Sequence, residues 1–214
     1  MRLATALFLT IAAAMPAQAE VELSFYGGAQ SARPSDVFIS GDVAYPEETS
    51  VTWEGRSFEA PPYYGLRATI WPSDTLGYGV DFTHAKVYPE EGTLDGTAFE
   101  ELEFTDGINT LTLNAYRRWP GGPGGLTPYV GAGLGVAIPH VEVSNGETET
   151  EGYQLTGPAA TIIAGASYPI NDDWAVFGEY KGTYSQNTAD LDGGGTLETD
   201  IVTNAVNVGI SFSF

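Results

Sequence analysis

The chain of 214 residues carries two histidines, His84 and His140, and no cysteine. Any metal chemistry therefore falls to imidazole and carboxylate, a donor set suited to an oxygen-using or Lewis-acid metal. Glu103, Asp106 and Glu142 are the nearby acids that complete a candidate site for a divalent metal ion, with the two histidines as candidate catalytic groups. A second constellation is Arg67, Asp81, Glu179 and Lys181, two charges of each sign. The absence of cysteine removes disulfide scaffolds, Cys-ligated zinc or iron–sulfur centres and Cys nucleophiles.

The charge balance narrows the partners. Asp and Glu number 28 against 8 Lys and Arg, a formal charge of −20, so a polyanion is repelled and nucleic acid is excluded as a partner. The surplus acid must face water, cations or a cationic partner. At the N-terminus, Met1 and Arg2 precede an apolar run from Leu3 to Met15, and Ala17-Gln18-Ala19 has the small-x-small form of a signal-peptidase site. A run of roughly 13 apolar residues is too short to span a bilayer as a helix. Residues 1–19 read as a cleaved signal peptide and 20–214 as the mature domain. Cleavage removes Arg2 and no acid, leaving 28 acidic against 7 basic residues and a charge of −21.

These residues must be positioned by strands, because from Glu20 onward the apolar pattern has period two and no dozen-residue stretch has period 3.6. In the last segment Val202, Val206, Val208, Ile210, Phe212 and Phe214 share one face, while Thr203, Ala205, Asn207, Gly209, Ser211 and Ser213 share the other. A soluble lipocalin-like barrel also alternates, but its polar face tends toward Lys, Glu and Arg. Here the polar face is small: Gly, Ser, Thr and Asn, with Tyr. Apolar outside and small polar inside is the pattern of a transmembrane barrel.

Eight segments follow this rule, near 21–30, 64–70, 76–83, 110–116, 128–138, 159–168, 174–184 and 202–214. Short turns at Pro72-Ser73-Asp74, Pro120 to Leu126 and Pro169 to Asp173 alternate with long polar stretches at about 31–57, 87–104, 143–154 and 185–200. The expectation is an all-β, eight-stranded antiparallel transmembrane β-barrel with short periplasmic turns and four longer extracellular loops, in the outer membrane of a Gram-negative bacterium. Trp71, Trp119, Tyr168, Trp174 and Phe214 fall near the short-turn ends and are expected to form an aromatic girdle.

The parity assigns the chemistry-bearing residues to faces. Arg67, Asp81, Glu179 and Lys181 point inward, where an isolated ion is costly, so they are expected to pair as a lumen charge network. His84 and His140 continue the outward faces of the third and fifth segments, unless Pro139 breaks the parity. An apolar band about 25 Å tall takes about ten residues of tilted strand, which puts both histidines near the outer-leaflet boundary. With one strand between them they lie on the order of 10 Å apart. Their plainer reading is as interface residues that contact lipopolysaccharide phosphates or pair locally. Acidic stretches such as Asp190-Leu191-Asp192 read as solvated surface, or as a place to capture the divalent ions that bridge phosphates.

Pro128-Tyr129-Val130-Gly131-Ala132-Gly133-Leu134-Gly135-Val136, with a closing strand that ends in Phe214, resembles the small outer-membrane β-barrel superfamily that includes outer membrane protein A-like barrels. That resemblance implies assembly by the barrel assembly machinery, which reads the terminal strand at Phe214. A narrower likeness is to barrels of the lipid A oxidase type, carried by four stretches. They are Trp53-Glu54-Gly55-Arg56-Ser57-Phe58 with Ala60-Pro61-Pro62-Tyr63-Tyr64-Gly65, Asp81-Phe82-Thr83-His84-Ala85-Lys86-Val87-Tyr88, Leu102-Glu103-Phe104-Thr105-Asp106-Gly107 and Gly178-Glu179-Tyr180-Lys181-Gly182-Thr183-Tyr184-Ser185. It implies an O2-dependent oxidoreductase that converts the proximal glucosamine of lipid A to 2-aminogluconate, and it implies no catalytic residue set. Neither His84-Ala85-Lys86 nor His140-Val141-Glu142 has the His-x-Ser arrangement that lipid A deacylase barrels resemble one another in. The alternative is a non-enzymatic structural or surface-interaction barrel.

Overall fold

The computed structural model describes residues 19–41 and 48–214, apart from the side chains of Thr105 and Asp106. The expected signal peptide, except for Ala19, lies outside the described residues. The described chain forms twelve strands: β1 (Glu20–Ala32), β2 (Ser35–Ser40), β3 (Glu48–Val51), β4 (Trp53–Glu54), β5 (Tyr64–Trp71), β6 (Leu76–Pro89), β7 (Glu101–Arg118), β8 (Thr127–Ser144), β9 (Glu149–Tyr153), β10 (Gly157–Pro169), β11 (Trp174–Asp190) and β12 (Thr196–Ser213). All pairings are antiparallel.

Eight of these strands, in the order β1-β5-β6-β7-β8-β10-β11-β12, form a ring that closes through the β1–β12 pairing. They are the eight segments expected from the alternation. Closure leaves no free backbone edge within the ring, the condition for a sheet that stands in hydrocarbon. Its outer surface is oily: Leu113, Leu134, Val206 and Val208 are each at least 66% exposed. The inner face holds small or paired polar groups such as Ser24, Thr112, Asn114, Thr161 and Asn207.

The four remaining strands extend the ring beyond the end opposite the short turns. β2 adds to β12 and β3 to β2, β4 pairs with the end of β6, and β9 pairs with the end of β8. Here the two faces exchange character. On β12 the inward side passes from Ser211 and Asn207 to Ile201 and Leu197, while the outward side passes from Val208 and Val206 to Asp200 and Glu198. On β8 the inward glycines give way to Val141 and Val143, and outward Leu134 gives way to Glu142. Val37, Ile39, Trp53, Phe104, Val141 and Leu197 belong to a single buried apolar cluster inside this extension. The exchange is the one expected of a sheet that would pass from lipid, where oil must show, to water, where it must be hidden.

Two expectations need correcting. The four long polar stretches are not mostly loop: β2, β3, β4 and β9 and the ends of β6, β7, β11 and β12 occupy much of them. Trp71 is not part of a girdle. It points inward, packs on Tyr116 at 6.3 Å between ring centroids, and lies under the Arg118 guanidinium at 3.9 Å. Trp119, Tyr168, Trp174 and Phe214 are exposed as expected.

Candidate functional site

Arg67 on β5 and Asp81 on β6 are register partners, and both point inward. The Arg67 Nε donates to Asp81 Oδ2 at 2.9 Å, and its two terminal nitrogens donate to the Glu179 carboxylate at 3.0 and 2.8 Å. Lys181 donates to Asp81 Oδ1 at 2.9 Å, to the Tyr26 hydroxyl at 2.8 Å and to Thr83. Tyr26 and Tyr129 donate to Asp81 and Glu179, each at 2.7 Å, and Asn207 donates to Glu179 at 3.2 Å. The four expected lumen charges are thus one network with no net charge. Tyr26, Thr83, Tyr129 and Asn207 are members that charge counting alone passed over, although each has the inward parity. A cavity of about 30 Å³ on the short-turn side and one of about 10 Å³ lined by Thr83, Ala85 and Ile201 leave room for single waters. The network plugs the ring.

On the outside, three of the four stretches that carry the narrower resemblance come together. β5 begins only at Tyr64, so between β1 and β6 the segment 55–63 takes its place. Gln30 donates its backbone N–H to Ser57 Oγ at 2.8 Å and its side-chain amide to the Lys86 carbonyl at 2.7 Å. Gly55 permits this approach, since a Cβ there would lie 2.3 Å from the Gln30 carbonyl oxygen. On the inner side, Trp53 packs on Phe104 at 5.9 Å within the buried core of the extension. Arg56 lies 4.5 Å over the Tyr88 ring and pairs with Glu54, and the Lys86 ammonium sits 5.0 Å from the same ring. Lys86 is 1% exposed and donates to the Glu59 carbonyl at 3.2 Å. Phe58, at the turn, is 81% exposed. The fourth stretch, 178–185, supplies Glu179 and Lys181 to the lumen.

His84 keeps the outward parity but is sealed. Its ring stacks on its register partner Tyr64 at 5.3 Å, and Nδ1 bonds with Asn109 Oδ1 at 2.9 Å. Gly107, at φ 84°, closes over it: a Cβ there would be 2.7 Å from His84 Cε1. His140 is also outward, so Pro139 leaves the parity intact, and it meets its register partner Tyr153 edge-on at 4.8 Å. His84 aligns with Asn109 and Asn109 with Ile138, so His140 is two strands away and two residues further along. That offset is roughly 12 Å, too far for both rings to reach one ion at normal metal–nitrogen lengths.

The acids assemble differently. Glu103, Glu142 and Glu151 stand in one row across β7, β8 and β9, with register partners Glu103 to Glu142 and Glu142 to Glu151. Oxygens of Glu101, Glu103 and Glu142 lie within 4.8 Å of one another. The Asp106 side chain lies outside the described residues. Among the described residues no group of three or more candidate metal ligands includes a histidine. Burial, and then the negative charges of Glu101 and Glu142, push the Glu103 carboxyl up to about 7, against a weaker pull from Arg56 and Lys86. Burial and Glu142 raise Glu101 as well.

No family model and no curated protein matches the chain. Among solved structures, Neisserial surface protein A is similar at a TM-score of 0.49 and 13% identity, over 92% of this chain and 97% of that one. OprG of Pseudomonas aeruginosa is similar at 0.47 and 14%, over 92% and 95%. The outer membrane protein AlkL, solved by solid-state NMR in DMPC bilayers, has a TM-score of 0.51 and 15% identity over 92% of this chain and 90% of its own. This last likeness, with the closed antiparallel pairing, shows the fold: the chain is built like a small outer-membrane β-barrel.

Proposed function

We propose that the chain is an eight-stranded transmembrane β-barrel of the Gram-negative outer membrane, and that it modifies lipid A in the manner of a lipid A oxidase. The short turns would face the periplasm and the acidic extension the outside. Export would follow cleavage of residues 1–19, and the closing strand to Phe214 would serve the barrel assembly machinery. One observation carries the enzymatic reading. The stretches 53–65, 81–88 and 102–107 meet, and Arg56, Lys86, Tyr88 and Glu103 bring them together on the outer wall where the oily face turns polar. In the proposed placement this boundary would stand at the height of a lipid A headgroup.

The convergence offers useful groups. Arg56 is a cation for a phosphate, and a carboxyl titrating near 7, such as Glu103, suits proton transfer at neutral pH. Lipid A oxidation uses O2; a divalent metal would have to find its ligands among the carboxylates there, since His84 and His140 stand apart. The test is mass spectrometry of lipid A from a strain lacking the chain. Loss of the 2-aminogluconate form is expected, and an unchanged proximal sugar ends the enzymatic reading.

A second reading has its own support. The paired lumen charges, the filled core of the extension and the sealed His84 describe a rigid barrel that presents an acidic surface. If lipid A is unchanged and the deletion alters only surface adhesion, this non-enzymatic role stands.

A further inference from the structure

On the short-turn side of the plug, the lumen holds one carboxylate that the pairing leaves over. Arg67 and Lys181 balance Asp81 and Glu179, and Arg118 pairs with Glu20 at 2.6 Å. Glu22 shares the inward parity of Ser24 and Tyr26 on β1. Among the described residues it forms no ion pair and accepts only a long hydrogen bond, from Ser24 Oγ at 3.4 Å. It lines the cavity of about 30 Å³, with the hydroxyls of Ser24, Tyr116, Thr127 and Ser167 and the Trp71 indole around it. Two of these groups are orphaned. Tyr116 is 3% exposed and Trp71 6%, and among the described residues neither the hydroxyl of the one nor the indole N–H of the other has a hydrogen-bond partner. Leaving a buried polar atom unpaired is costly, as is leaving a charge in a lumen without its counter-charge.

Chemistry selects what fills the cavity. An anion would meet the Glu22 carboxylate. A divalent cation would leave excess positive charge beside the Arg67 and Arg118 side chains, which also line the cavity, and magnesium sheds its waters reluctantly. A monovalent alkali cation neutralises Glu22 and asks only for oxygen lone pairs, which the carboxylate, the Tyr116 hydroxyl and the serine and threonine hydroxyls supply. The Trp71 N–H cannot ligate a cation, but it can donate to a water that does. At roughly 10–15 Å³ for each, the cavity takes a small ion with one water beside it. That limit favours sodium over potassium. The way in is a vestibule of about 200 Å³ at the short-turn end, which shares Glu22, Arg118, Thr127 and Ser167 with the cavity and is lined by Glu20, Asp172 and Asp173. Acids at such a mouth raise the local concentration of cations.

We infer that this cavity is a binding site for one sodium ion, held by the Glu22 carboxylate and the Tyr116 hydroxyl. The inference needs only the ring and its lumen, and it is independent of lipid A chemistry. The experiment is thermal unfolding of the full mature chain, folded in detergent, in sodium, potassium and choline chloride at equal ionic strength. Choline is too large for the cavity and serves as the reference. Sodium should raise the unfolding midpoint by about 4 °C over choline, the shift expected when the salt is about tenfold above half-saturation, and potassium should raise it less. Glu22→Gln removes the unpaired charge, so it should unfold in all three salts at or above the parent's choline midpoint, with no difference between them. Tyr116→Phe should shrink the sodium shift. A second measurement needs no variant: the parent should broaden the sodium NMR line, and do so saturably. Equal midpoints in the three salts, a sodium line that stays narrow, or a Glu22→Gln protein that keeps the parent's sodium dependence overturns the site. A parent midpoint that rises with acid equally in every salt also overturns it, since a proton then neutralises Glu22.

Discussion

Arg67 and Glu179, on β5 and β11, meet across the lumen through two parallel hydrogen bonds of 3.0 and 2.8 Å. Both side chains are at most 4% exposed. Removing one partner strands the other in a medium that cannot solvate it, a loss of about 3–5 kcal/mol. Glu179→Ala should therefore lower stability in detergent by that order, measured by thermal unfolding. The double variant Arg67→Met with Glu179→Gln should lose much less, since no uncompensated ion remains on that side. Equal losses for the two proteins would show that packing, not charge pairing, dominates the network.

Glu103, beside the negative charges of Glu101 and Glu142, makes the extension sensitive to pH. The folded Glu103 carboxyl, at about 7, lies above its unfolded value of 4.5. A raised acid binds its proton more tightly folded than unfolded, so stability is greatest below 4.5 and falls as pH rises through about 7. Partial exposure to water screens the effect, leaving on the order of 1 kcal/mol. Glu103→Gln should stabilise the protein by that amount at pH 8 and be neutral at pH 4, in unfolding followed at both pH values. An equal gain at both would mean that the glutamate is not repelled.

The ring was legible because one face of each strand is exposed and oily and the other lines a crowded lumen, and Val206, Val208 and Ile210 against Asn207 and Ser211 spell this out. The extension was not, although its signal has the same period. Val141 and Val143 alternate with Glu142, and Leu197 and Ile201 with Glu198 and Asp200. Those glutamates and aspartates suggest a loop only if strand residues are assumed to face lipid. The histidines were placed on the correct face, yet parity carries no information about what covers a face. Tyr64, Gly107 and Asn109 seal His84 through contacts between residues far apart in the chain.

His84 provides a separation of packing from chemistry. His84→Phe keeps the stack on Tyr64 and gives up the bond to Asn109, a cost of about 1 kcal/mol. His84→Ala also opens a cavity, bringing the cost to about 3 kcal/mol. As a sealed packing residue, His84 should be replaceable by Phe without loss of lipid A modification in cells that make the variant in place of the parent. Loss of the modified sugar with His84→Phe, at undiminished protein level, would restore the histidine to the chemistry.

The two cores should also come apart by mutation. Phe104 lies in the apolar core of the extension, packed on Trp53, and is 1% exposed. Truncation to Ala removes a buried ring at a cost of about 3–5 kcal/mol. The lumen network lies in the ring below and shares no contact with Phe104 among the hydrogen bonds and ion pairs described. Effects at sites without shared partners are close to additive. In Phe104→Ala, a protease added to the outside of cells should therefore cut the extension between β6 and β7 or between β8 and β9 faster than in the parent. The membrane-embedded ring should stay protected and keep its unfolding transition. If the ring transition falls in step with cleavage of the extension, the two layers fold as one unit, and the exchange of polarity along β8 and β12 marks only a change of solvent, not a boundary in stability.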